Sequence, residues 1–167
     1  MANQAKSSIG TVPIKELEEI IELEDHSVSF LHALAKNIQN GKAKYNCELF
    51  SKTDESHEEE LKKVAVEIGL PKKSIDDLLS AHKIDPDAYS IAGILEEVLT
   101  IEKEKIKKYH YCINYSRGAF RIFFKKYLSD SIKENKFLIK ELAFRKDNLN
   151  MESKRLLSMV NSFYLSL

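Results

Sequence analysis

The sequence predicts an all-α protein, a four-helix bundle made of two antiparallel helix pairs joined by one long crossover. Three observations carry this. Along four long stretches, apolar residues recur at alternating steps of four and three, which keeps them on a single helix face. Only 5 Gly and 3 Pro occur in 167 residues, too few turn formers for a β-sandwich or barrel. Hydrophobic residues make up 43% and charged residues 31%, a mixture that builds a core in a chain long enough for one domain.

Residues 1–12 are small and polar and read as a flexible tail ahead of a bundle over 13–149. Pro13 opens the first helix, whose stripe is Leu17, Ile21, Glu24, Val28, Leu31, Ala35 and Ile38; Asn40-Gly41 stops it. The second stripe is Phe50, Asp54, His57, Leu61, Val64 and Ile68, ended by Gly69 and Pro71. Residues 70–87 read as the connection, with a short helical candidate inside it. The third helix runs from about Ala88 to Ser116 on Ile91, Leu95, Val98, Glu102, Tyr109 and Ile113, with Lys105 breaking the apolar face. After Gly118 the fourth follows Phe124, Leu128, Ser131, Asn135, Leu138, Leu142, Arg145 and Leu149. A C-terminal helix over 150–167, carrying Leu156, Val160, Phe163, Tyr164 and Leu167, is expected to pack on the bundle or on a partner subunit.

The informative residues interrupt these stripes: Glu24, Asp54, His57, Glu102 and Arg145. An unpaired ionised group in a dry core costs several kcal/mol, so such groups are paired, metal-bound or neutralised. Interruptions near the middle of all four helices suggest one shared cluster. Carboxylates and a His at i, i+3 inside a bundle are a known way to hold a metal.

Residues 21–61 resemble the first hairpin of a rubrerythrin-type, ferritin-like protein, and the likeness extends over about residues 14–149. In that family the first helix carries a Glu with an aromatic six residues on, matched by Glu24 and Phe30. The second carries Glu-x-x-His, matched by Asp54-Glu55-Ser56-His57 with Asp in the Glu position. The third carries a Glu with an aromatic seven residues on, matched by Glu102 and Tyr109. The resemblance implies a ferritin-like bundle with Glu24, Asp54, His57 and Glu102 as metal ligands and Phe30 and Tyr109 beside them. The fourth helix departs: the stripe puts Leu142 and Arg145 where a second Glu-x-x-His belongs, and no His follows His110. The implied centre is therefore half of a two-metal site, with Arg145 as a fixed cation in place of the second ion. It would take one iron, manganese or zinc ion, or none.

Other classes find little footing. Lys+Arg 26 balances Asp+Glu 26, so overall charge points to no nucleic-acid partner. Basic residues gather between Lys103 and Lys146, with aromatics among them, while the first two helices are acidic. This is read as pairing of an acidic hairpin with a basic one, within the chain or across a homodimer, rather than as a nucleic-acid surface. Cys47 and Cys112 form no CxxC pair, which fits a reducing cytoplasm and means that any redox role needs an external electron donor. No apolar run approaches the roughly 20 residues of a membrane span. Gly-rich phosphate loops and nucleophile motifs are missing, so hydrolase and nucleotide readings have no support. Whether the chain is an enzyme stays open. The competing reading is a non-catalytic helical interaction protein whose centre is a carboxylate–arginine ion cluster.

Overall fold

A computed structural model describes residues 14–144, with side chains as far as Glu141. It is all-helical: α1 (Ile14–Asn37), α2 (Gly41–Glu67), α3 (Lys72–Ala81), a 3-10 turn (Pro86–Ala88), α4 (Ile91–Tyr115) and α5 (Gly118–Phe144). No strand occurs among the described residues. The N-terminal tail, Arg145 and the C-terminal segment lie outside them.

Short turns make α1 and α2 one hairpin and α4 and α5 another. The hairpins meet chiefly through α1 and α4, whereas α2 and α5 touch only sparingly. Each turn has local causes. The Asn40 side chain caps α2, accepting from the Lys42 and Ala43 amides at 3.0 Å. At the other end Gly69 takes φ +109°, and the Leu70 amide reaches back to the Ala65 carbonyl at 2.9 Å. Leu70 is buried beyond it, completing a Schellman-type stop. Ser90 caps α4 by accepting from the Gly93 amide at 3.1 Å. The connection that the sequence marked at 70–87 holds α3, which seats Ile75 in the core, and the 3-10 turn.

The core falls into two parts on either side of a polar middle. One gathers Phe30, Leu31, Leu34, Cys47, Leu95, Val98 and Leu138. The other gathers Leu17, Ile21, Leu61, Ile75, Tyr109, Phe124 and Tyr127. The expected stripes are right to within one position of a turn. Val28 is half-buried while Ser27 is fully buried, and in α5 Tyr127 is buried where Leu128 was expected. The acidic and basic hairpins do pair within the chain, Lys108 bridging to Glu16 at 2.7 Å and to Glu19.

Candidate metal centre

Between the two apolar parts, four helices point ionisable side chains at one another. Glu24 comes from α1, Asp54 and His57 from α2, Glu102 and Lys105 from α4, and Glu134 from α5; none is more than 2% exposed. The i, i+3 spacing of Asp54 with His57, and of Glu102 with Lys105, puts each pair on one face of its helix.

Lys105 is the hub. Its Nζ lies 2.8 Å from Glu24 Oε2, 2.9 Å from Asp54 Oδ2 and 2.7 Å from Glu102 Oε1. The Glu102 contact has hydrogen-bond geometry, and Ser27 donates to the same oxygen at 3.1 Å. The Glu24 and Asp54 contacts are ion pairs whose directions fall outside it.

The other side of the cluster faces His57. Its Nδ1 is 3.6 Å from Glu24 Oε1 and 3.8 Å from Asp54 Oδ1. Its Nε2 is 3.6 Å from Asp130 Oδ2 on α5, and its ring stacks on Tyr127 with centroids 3.8 Å apart. Tyr109 donates its hydroxyl to Glu24 Oε1. Glu24 thus divides its oxygens, Oε2 toward Lys105 and Oε1 toward His57 and Tyr109. Asp54 divides likewise. Asp54 Oδ1 and His57 Nδ1 are buried and make no hydrogen bond, and the same holds for Glu102 Oε2, Ser131 Oγ and Glu134 Oε1. Glu24, Asp54 and His57 each offer a ligand atom within 4.8 Å of the others, and so do Asp54, Glu102 and Glu134.

Burial and charge set the proton affinities. Burial pushes Glu24 up, but Lys105 and His57 outweigh it and hold the carboxyl at about 2. Burial, with the neighbouring Glu24 charge, pushes Asp54 well above its ordinary range. Glu134 is raised well above its range by burial and by Asp54 and Glu102; burial raises Glu102 too, against the pull of Lys105. For Lys105, burial favours loss of the proton, but the surrounding carboxylates override it and raise the ammonium well above the usual lysine range. The centre is a fixed cation among carboxylates that outnumber it.

The structure thus brings Glu24, Asp54, His57 and Glu102 together, with Tyr109 on Glu24. Phe30 is elsewhere: it sits in the first core cluster, edge-on to Tyr89 at 5.2 Å. This corrects its expected place beside the ligands, because a residue six positions on has turned well away from the Glu24 face. Of the fourth-helix expectations, Arg145 and the Leu142 side chain lie outside the described residues. The described part of α5 contributes Asp130 and Glu134, about three and two turns before Leu142. The sequence reading missed Glu134, although it lies three residues after Ser131 and so on the same side of the helix. It also noticed Lys105 only as a break in the apolar face, although Lys105 follows Glu102 by the spacing that pairs side chains on a helix.

Three of the other histidines have partners of their own, while His110 Nε2 is buried without a hydrogen bond. His26 Nε2 meets the His82 carbonyl at 2.9 Å, His82 Nδ1 meets Glu22 at 2.8 Å, and His32 Nδ1 meets Ser51 at 2.9 Å. Cys47 and Cys112 are buried free thiols. No described helix is long and apolar enough to cross a membrane. No family model, curated protein or solved structure matches this chain.

Proposed function

We propose that the chain is a ferritin-like, rubrerythrin-like bundle protein whose centre binds one divalent transition metal through Glu24, Asp54 and His57. One observation carries this reading: His57 Nδ1 and Asp54 Oδ1 are buried, lack hydrogen bonds and face the same space as Glu24 Oε1. A buried polar group without a partner is costly, and a metal ion satisfies all three atoms together. A proton on Nε2, beside Asp130, leaves Nδ1 as the ligand nitrogen. One nitrogen with two carboxylates suits iron, manganese or zinc. Bound there, iron or manganese would supply at most weak redox chemistry, with electrons from an external donor.

The test is metal analysis of untagged protein purified without chelator, followed by equilibrium dialysis against Mn(II), Fe(II) (anaerobically) and Zn(II). One equivalent per chain, lost in His57→Ala, is the expected result. A second reading, a metal-free interaction protein, is favoured by Lys105, which already neutralises part of the carboxylate charge. Metal-free protein whose melting is unmoved by all three ions would establish that alternative.

A further inference from the structure

Lys105 Nζ occupies the place where a cation serving Glu24, Asp54 and Glu102 would sit, at 2.7–2.9 Å from an oxygen of each. An ammonium has three donors and no acceptor, so it can meet three carboxylates as a compact point charge. Around it the donor set is larger than one ammonium uses. Glu134 lies within ligand reach of Asp54 and Glu102, and its Oε1, Glu102 Oε2 and the neighbouring Ser131 Oγ are buried without hydrogen bonds. Four buried carboxylates carry the charge that two divalent cations would neutralise. Among the described residues, Lys105 is the lysine whose ammonium lies against three of these carboxylates.

We propose that Lys105 is an internal surrogate for a second divalent cation, and that this residue limits the centre to one metal. Lys105 engages Asp54 and Glu102, two of the three carboxylates that with Glu134 form a ligand group, and that group becomes a metal site when the ammonium is removed. This inference rests on the bundle-centre reading above but does not need the first position to be filled.

The experiment is equilibrium dialysis of full-length Lys105→Met against Mn(II) and Zn(II), beside wild type, Lys105→Arg, Lys105→Met/Glu134→Gln and His57→Ala/Lys105→Met. Methionine keeps the unbranched length and removes only the charged head. Lys105→Met is expected to bind one equivalent per chain more than wild type. The added equivalent should be absent from Lys105→Arg, lost with Glu134→Gln, and retained with His57→Ala. Wild type binding none while Lys105→Met binds one would sink the first-position reading and leave this one standing. Equal stoichiometry in wild type and Lys105→Met overturns it, as does an added equivalent that vanishes with His57→Ala. Because the uncompensated carboxylates can prevent folding, Lys105→Met is also refolded from urea with and without the ion. Recovery only with the ion supports the proposal, and failure in both buffers overturns it.

Discussion

At the scale of single residues, each functional group here is defined by what the others leave unsatisfied. Tyr109 is fully buried and gives its only proton to Glu24 Oε1, so Tyr109→Phe strips a donor from a buried carboxylate. The expected cost is about 1.5–3 kcal/mol, the range for hydrogen bonds to charged groups, read from urea unfolding. An unchanged midpoint would show that water replaces the hydroxyl. Cys112 makes the opposite case: burial pushes its thiol up to about 12, so almost no thiolate exists at pH 8. Ellman's reagent should therefore label it only after unfolding. Glu24, Asp54, His57 and Glu102 were legible in the sequence because each replaces an apolar residue in a regular stripe. Lys105 and Glu134 were not assigned, because long side chains enter a core from positions that periodicity alone classes as breaks or boundaries.

Among the elements, helix existence was readable and helix register was not. Pro13 and the stops at Asn40-Gly41 and Gly69 mark the start of the first helix and the ends of the first two to within one to three residues. Gly69 earns its place by geometry, since φ +109° lies in the left-handed region that side chains avoid. Gly69→Ala is predicted to cost about 1–2 kcal/mol although nothing crowds the added methyl, and urea denaturation reads it directly. In α5 the expected stripe carries its own polar breaks, Ser131 and Asn135, both buried. Neither is charged, so they carried no sign of an ion cluster, and the charged Glu134 beside them lies off the expected stripe. Only the facing residues of α1, α2 and α4 fix the level of the polar middle, and they fix it at Glu134.

For the whole molecule, the surplus of buried carboxylates sets the pH response. Asp54, Glu102 and Glu134 have folded-state proton affinities raised above those of the unfolded chain, so the metal-free native state holds more protons than the unfolded one. Stability then falls as pH rises from about 4 through neutrality. Glu24 runs the other way, its contribution being lost only as pH falls from 4.5 to about 2. Melting of EDTA-treated protein should therefore drop between pH 5 and pH 8 by this contribution, and Asp54→Asn/Glu134→Gln should flatten the slope. The sparse seam between α2 and α5 adds a consequence of its own. It holds a cleft of about 380 Å³ that reaches His57 past Lys52, Lys126 and Asp130. The hairpins are joined like two pages along α1 and α4, and the seam is their outer edge. Glu24, Asp54 and His57 are all printed on one page, while Lys105 reaches across from the other. The three ligands therefore stay together on one hairpin, and a metal held by them would tie α1 to α2 without drawing on α4 or α5. Bound metal should slow amide hydrogen exchange in α1 and α2 far more than in α4 and α5. Equal protection of both hairpins would count against a metal held by α1 and α2 alone.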